Sequence, residues 1–138
     1  MTIWRIIENI WRQNILTKKS FPRNKQNWGA ANEWELNQFK VCTYALKTGG
    51  NSVVAYVYTL YGAQPIADIK IDILKYLTDF GENLIDGLFL DETATIYQPG
   101  FIKKYKEIAD FIHDSFSTKI PMVIGNPGAS PDSRIITG

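Results

Sequence analysis

The sequence predicts an α/β fold built from parallel strands. Three short apolar runs, at residues 53–58, 85–90 and 122–125, have the length and composition of buried strands. They start 32 and 37 residues apart, and a helical pattern lies between each pair. That interval is typical of strand–helix units and is too long for hairpins. Each run ends in a polar cluster, which is where parallel α/β enzymes place their functional residues.

The chain is predicted to divide near residue 30. Residues 3–16 have an apolar side with helical spacing, whereas residues 17–30 are polar, contain one proline and show no strand period. We therefore predict a divergent N-terminal segment of helix and loop at residues 1–30. An α/β domain is predicted at residues 31–138, where the periodic pattern becomes clear.

Three helices are predicted within this second segment. Residues 33–47 carry an apolar face, and residues 66–80 show the narrowest apolar stripe in the chain. Gly81 follows at the position where a left-handed helix cap favours glycine. Residues 101–116 also have an apolar face with helical spacing and are predicted to form the third helix. The sequence after the turn at 126–128 predicts a loose tail.

Composition excludes several classes of protein. With 138 residues, 45% of them hydrophobic and 21% charged, the chain is expected to form one soluble globular domain. No apolar stretch approaches the roughly 18 residues that span a membrane. The N-terminus lacks the apolar core of a signal peptide, so the chain as written is expected in the cytoplasm. A secreted or cell-surface location for a longer parent protein stays open. Cys42 is the only cysteine, which excludes an internal disulfide.

The net charge of +1 is unevenly distributed. Residues 1–47 hold eight Lys and Arg against three Glu, and residues 48–138 hold seven against eleven acidic residues. The basic residues are scattered and belong to no recognition motif, so we predict a solvated basic surface and no nucleic-acid partner. The sequence does not determine an oligomeric state.

The most informative candidates are Asp91 and Glu92, which directly follow the second apolar run. Such a pair resembles the strand end of nucleotide hydrolases, but those proteins need a glycine-rich phosphate loop with a lysine, and this sequence has none. Glycoside hydrolysis needs two carboxyl groups flanking a sugar, so we predict Asp91 and Glu92 as catalytic residues. Because neighbouring strand residues point to opposite faces, only one reaches the sugar unless the strand ends there.

Further strand-end residues are predicted to bind the substrate. Parallel strands place their carboxyl ends at one edge of a sheet, and tyrosine rings offer flat apolar surfaces to sugar rings. The predicted substrate-binding residues are Tyr58, Thr59, Tyr61 and Asn126. The pattern predicts no metal site and no cofactor. A salt-bridged Asp-Glu pair among core tyrosines remains the alternative.

Four motifs in one order resemble the spherulation-specific (spherulin-four) family. They are VAYVYTLYG at 54–62, Pro65 with ADIKID at 67–72, IDGLFLDE at 85–92 and VIGNPG at 123–128. The resemblance covers about residues 32–131. It implies a (β/α)8 barrel and a glycoside hydrolase that acts on galactosamine-containing microbial polysaccharide. The family's acidic pair falls on Asp91 and Glu92.

The chain also departs from the family pattern. The family's first strands have no counterpart in residues 1–30, and a further acidic residue expected on a later strand would lie beyond Gly138. Eight strand–helix units need about 250 residues, so we expect an incomplete barrel with three to four parallel strands. Two functions stay open: a truncated hydrolase that is weak or inactive, or a non-catalytic carbohydrate-binding or structural module.

Overall fold

A computed structural model describes residues 33–137 of the chain. The predicted N-terminal helix and loop at residues 3–30 lie outside the described residues. The chain falls into two compact units, which divide between Cys42 and Thr43. The sheet and all the contacts discussed below belong to the second unit, Thr43–Gly138.

Helices and strands alternate along the described residues. Helix α1 spans Glu33–Thr48 and precedes strand β1, and a short 3-10 turn follows β1. The order after β1 is helix α2, strand β2, helix α3, strand β3 and a short helix α4. Their bounds are β1 Val54–Tyr58, the 3-10 turn Leu60–Gly62, α2 Ile66–Phe80, β2 Gly87–Asp91, α3 Phe101–Ser115, β3 Met122–Asn126 and α4 Ser133–Thr137.

The three strands form one parallel sheet in the order β1-β2-β3. This order and direction match the architecture predicted from the 32- and 37-residue intervals. Strand β2 begins at Gly87, two residues later than predicted. It also continues through Asp91, so the first of the two predicted catalytic residues belongs to the strand. Helix α4 occupies part of the predicted loose tail.

The core lies between one face of the sheet and the helices. Alternate residues of β1 are buried, as expected where side chains of a strand point to opposite faces. In the central strand β2 every residue except Phe89 is buried. Helices α2 and α3 contribute residues spaced three or four apart, which lie on one side of a helix. The buried set comprises Ala55, Val57, Leu88, Leu90, Ile69, Ile73, Tyr76, Ile108 and Ile112. On the opposite face of the sheet Gly87 and Asp91 are buried, Met122 is exposed and the other residues are half-buried.

Glycine ends helix α2 at the predicted position, but with a positive φ and an extended ψ instead of the predicted left-handed helical conformation. The N–H of Gly81 donates to the carbonyl oxygen of Leu77, and Gly81 adopts φ 74° and ψ 165°. Residues with a side chain rarely adopt that combination, whereas glycine does so at little cost. This stop turns the chain towards β2. Within the described residues, the helices are too short or too polar to cross a membrane.

Asp86 connects three loops at the amino edge of the sheet. Its carboxylate accepts hydrogen bonds from Lys47 at 2.6 Å, from the N–H of Val53 at 2.8 Å and from Lys119 at 2.9 Å. Burial opposes ionisation, but these three donors outweigh it and lower the pKa of Asp86 below its ordinary value. The residues that precede β1 and β3 are thereby fixed against the start of β2.

Candidate functional site

The polar strand ends meet at the carboxyl edge of the sheet. Tyr58, Asp91 and Asn126 are register partners, so they form one row across β1, β2 and β3. This is the convergence expected of parallel strands, whose carboxyl ends face the same side. We call this row and the loops that follow it the carboxyl edge.

Asp91 is held between two neutral donors. The hydroxyl group of Tyr56 donates to its Oδ2 at 2.8 Å, and the amide nitrogen of Asn126 donates to its Oδ1 at 2.9 Å. Only 5% of Asp91 is exposed. Burial is the main reason that the pKa of Tyr56 lies far above its ordinary value, and the bond to Asp91 raises it further. Tyr56 therefore stays protonated and keeps donating to the carboxylate.

The strand ends between the two predicted catalytic residues. Glu92 follows the last residue of β2 and has φ 51°, so the alternation of strand side chains does not continue through it. Its carbonyl oxygen accepts a hydrogen bond from the hydroxyl group of Thr59 at 2.8 Å and another from the N–H of Tyr61. Asp91 and Glu92 were expected to serve one site only if the strand ended between them. The strand does end at Asp91, so this condition is met.

Thr59 supports the carboxyl edge from inside. It is 0% exposed, and its hydroxyl group lies within hydrogen-bond distance of the carbonyl oxygens of Asp91 and Glu92 and of the Tyr105 hydroxyl group. A residue with no exposed surface cannot offer its hydroxyl group to a ligand in this conformation. Thr59, which was predicted to bind the substrate, therefore has a structural role in this conformation, because its hydroxyl group is hydrogen-bonded to backbone carbonyl oxygens.

Strained backbone is concentrated at the same edge. Leu60, Tyr61 and Glu92 all have φ near 50°, and they are the non-glycine residues with positive φ among residues 33–137. A left-handed conformation is costly for residues with a side chain, and such outliers cluster at functional sites. The Tyr61 side chain is half exposed, at 49%. The edge therefore combines an oriented carboxylate, a second carboxyl group and an accessible aromatic ring.

The first two turns of α3 lie beneath this edge. The ring of Phe101 packs so closely on Gly62 that a β-carbon there would come within 2.9 Å of it. The ammonium group of Lys104 donates to the carbonyl oxygens of Gly62 and Gln64 at 2.6 and 2.5 Å. Tyr105 accepts from the N–H of Ala94 at 3.0 Å and contacts the Thr59 hydroxyl group at 3.0 Å.

Three further residues of this edge were not predicted from the sequence, namely Tyr56, Lys104 and Tyr105. Tyr56 could have been found, because it lies two residues before Tyr58 and so shares its face of the strand. Lys104 and Tyr105 gave no signal, since only the packing of α3 against residues 59–64 brings them to the edge.

Replacing Tyr105 with phenylalanine is expected to lower the free energy of unfolding by about 1–2 kcal/mol. The substitution leaves the N–H of Ala94, a residue 1% exposed, without its hydrogen-bond acceptor. Urea denaturation followed by circular dichroism measures the effect. Tyr44→Phe is the matched control, because Tyr44 is 63% exposed, and it should change stability by less than about 0.5 kcal/mol. Equal effects of the two variants would contradict the role given to Tyr105.

A second polar group follows β3. Asp132 accepts hydrogen bonds from the Nε and Nη2 of Arg134 and from its backbone N–H, which lower the pKa of Asp132 to about 2. The guanidinium group of Arg134 also lies 4.4 Å from the centre of the Tyr97 ring. Asp132 is therefore ionised and committed to Arg134, which makes it a poor proton donor. In the described part of the chain no three His, Cys, Asp or Glu side chains are grouped as a metal site.

The chain is similar to known proteins in sequence and in fold. Residues 24–138 match the model of spherulation-specific family 4. Spherulin-4 of Physarum polycephalum is 29% identical over 106 residues, which are 77% of this chain and 30% of that protein. The crystal structure of Aspergillus clavatus Sph3 in complex with GalNAc superposes with a TM-score of 0.62 at 26% identity.

The chain spans less than half of these relatives. It covers 30% of Spherulin-4, and the superposition with Sph3 covers 75% of this chain and 42% of Sph3. The predicted fold class, part of a (β/α)8 barrel with three to four parallel strands and flanking helices, is confirmed. The family predicted from the four sequence motifs is confirmed as well. Since the family model matches all but the first 23 residues, the chain belongs to spherulation-specific family 4.

Proposed function

We propose that the carboxyl edge is a carbohydrate site of a glycoside hydrolase-like domain that takes galactosamine-containing polysaccharide. The observation that carries the proposal is the geometry of Asp91, whose carboxylate is oriented by Tyr56 and Asn126 at the carboxyl edge of a parallel sheet. The GalNAc complex of the structural relative Sph3 supports the same class of ligand.

The side chains at this edge suit a sugar. The Asp91 carboxylate can accept hydrogen bonds from sugar hydroxyl groups, and the Asn126 amide can donate to them. The exposed Tyr61 ring can lie against an apolar face of the sugar. Tyr58, which is half-buried in the same row, would contact the ligand next to Asp91. Glu92 would be the second carboxyl group, and which of the two protonates the leaving oxygen is open to experiment.

Cleavage by this chain alone is proposed to be weak or absent. Glycoside hydrolysis uses two carboxyl groups about 5 to 9.5 Å apart, of which one must carry a proton. Asp91 already accepts a bond on each oxygen, and Asp132, which directly precedes α4, is held ionised by Arg134. Neither Asp91 nor Asp132 is therefore well suited to donate a proton to the leaving oxygen. Non-catalytic carbohydrate binding is the second candidate function, and it is favoured by the same commitment of Asp91.

The test is to titrate the chain with GalNAc and with oligosaccharides of acetylated and deacetylated galactosamine, and to assay their cleavage. We expect weak binding with little or no turnover. Tyr61→Ala should weaken binding about fivefold through loss of the ring, whereas Tyr44→Ala, which removes another exposed ring, should not.

The variants Asp91→Asn and Glu92→Gln distinguish the two candidate functions. Strong turnover that either substitution abolishes would show that the site is catalytically complete and that the expected weakness is wrong. Binding without turnover would identify a carbohydrate-binding module. A chain that binds none of these sugars would contradict the proposed site.

A further inference from the structure

The loop after β1 carries an unusual backbone. We call residues 59–64 the β1 loop. Three consecutive residues in it have positive φ, namely Leu60 at 50°, Tyr61 at 50° and Gly62 at 90°. Only the third is a glycine, for which this conformation has little cost. An isolated loop of this sequence would leave the left-handed region, so other parts of the chain must stabilise the observed conformation.

The loop conformation determines where the Tyr61 ring lies. The N–H of Tyr61 donates to the carbonyl oxygen of Glu92, which ties the loop to the end of β2. The side chain that follows from this backbone is 49% exposed. If the loop relaxed to ordinary helical or extended dihedral angles, the Tyr61 ring would change its position relative to the end of β2.

Lys104 of α3 holds the far side of the loop. Its ammonium group donates to the carbonyl oxygens of Gly62 and Gln64 at 2.6 and 2.5 Å, so both carbonyl groups turn towards one cation. Burial lowers the pKa of Lys104, which shows that the ammonium group loses part of its hydration here. A side chain needed only for packing could be apolar, because burying a charge has a cost. The positive charge of Lys104 attracts the carbonyl oxygens of Gly62 and Gln64, and so it stabilises a backbone conformation that the loop would not adopt alone.

We infer that Lys104 is a positioning residue of the carbohydrate site, which holds the β1 loop in the left-handed conformation that presents Tyr61 beside Glu92. The inference rests on the proposed carbohydrate site and adds a residue that contacts no sugar itself. It assigns the ligand contact to Tyr61 and the placement of Tyr61 to the α3 helix.

The experiment compares Lys104→Met with Lys103→Met in the full chain. Both substitutions remove one positive charge and leave an unbranched side chain that is one atom shorter, but Lys103 is exposed. Amide hydrogen exchange at Tyr61 and Gly62 reports the loop conformation without any ligand, and titration with GalNAc reports the site. Lys104→Met should speed exchange at these two amides about tenfold, and it should leave the amides of β2 unchanged.

Affinity for GalNAc should fall with the same substitution. We expect Lys104→Met to weaken binding about fivefold, close to the effect of Tyr61→Ala, because both remove the ring from its place. Combining Lys104→Met with Tyr61→Ala should therefore add little to either change alone. Lys103→Met should alter neither exchange nor affinity.

A second substitution separates positioning from general destabilisation. Asparagine tolerates a left-handed conformation, so Leu60→Asn removes part of the strain that Lys104 compensates. Introduced into the Lys104→Met variant, it should restore slow exchange at Tyr61 and most of the affinity. A variant that was merely less stable would show faster exchange throughout the sheet and no such recovery.

Hydrogen exchange tests the positioning inference, whereas sugar binding tests the proposed function, so either proposal can fail without the other measurement changing. Unchanged exchange at Tyr61 in Lys104→Met, or identical behaviour of the Lys103 and Lys104 variants, would overturn the positioning inference. Absence of GalNAc and oligosaccharide binding by the unaltered chain would overturn the proposed function, and with it the purpose assigned to Lys104, even if exchange in the loop responded as expected.

Discussion

Replacing Gly87 with alanine is expected to lower the free energy of unfolding by about 3 kcal/mol or more. A methyl group on Gly87 would lie 1.9 Å from the carbonyl oxygen of Met122 and 2.6 Å from its nitrogen. Gly87 and Met122 are register partners, so the obstacle is the backbone of the neighbouring strand and not a side chain that could rotate away. The start of β2 would have to separate from β3.

Gly125→Ala is the matched control for this prediction. A methyl group on Gly125 would meet the Thr93 side chain at 3.6 Å, which is an ordinary van der Waals contact. We expect no loss of stability and a gain of up to about 1 kcal/mol, because alanine has fewer conformations in the unfolded chain. Urea denaturation followed by circular dichroism measures both variants. If they lost the same stability, the close approach of β2 and β3 at Gly87 would not be the cause.

Replacing Asp86 with asparagine is expected to lower the free energy of unfolding at pH 7 by about 2 kcal/mol. The Asp86 side chain is 19% exposed and accepts hydrogen bonds from Lys47, Lys119 and the N–H of Val53. Asparagine would offer one acceptor atom and bring an N–H₂ group towards two ammonium groups. The three loops at the amino edge would lose their common acceptor.

The effect of this substitution should depend on pH. Folding lowers the pKa of Asp86 below its ordinary value of 3.8, so its contribution is present above about pH 4 and is lost as the pH falls through the folded pKa. The difference in stability between the wild type and Asp86→Asn should therefore shrink below pH 4. Asp110→Asn is the control, since Asp110 forms an exposed i,i+4 pair with Lys106 that contributes less than about 0.5 kcal/mol. A difference that stayed constant down to pH 2 would contradict the charge-based explanation.

Much of the candidate site could be predicted because it depends on strand direction alone. Once β1, β2 and β3 were parallel, Tyr58, Asp91 and Asn126 had to lie at one edge. Their roles as catalytic or substrate-binding residues remain predictions. The surroundings of these residues were not predictable in the same way. Strand periodicity places Tyr56 on the same face as Tyr58, but only the structure shows that its hydroxyl group donates to Asp91.

The role of Thr59 shows the limit of arguments from position. Its place after β1 predicted a residue facing the ligand, but a strand-end residue can also turn inward if the backbone there needs a hydrogen-bond partner. Thr59 turned inward because the carbonyl oxygens of Asp91 and Glu92 and the Tyr105 hydroxyl group surround it. The sequence near Thr59 does not contain those partners.

The sequence by itself determined the family, the alternation of helices and parallel strands and the edge at which the polar residues gather. These properties follow from hydrophobic periodicity and from motifs of a few neighbouring residues, which local sequence records directly. Only the tertiary structure decided that β2 ends between Asp91 and Glu92, that Thr59 is buried and that Lys104 holds the β1 loop. Each of these depends on hydrogen bonds between groups more than 30 residues apart, and such contacts exist only after the helices have packed against the sheet.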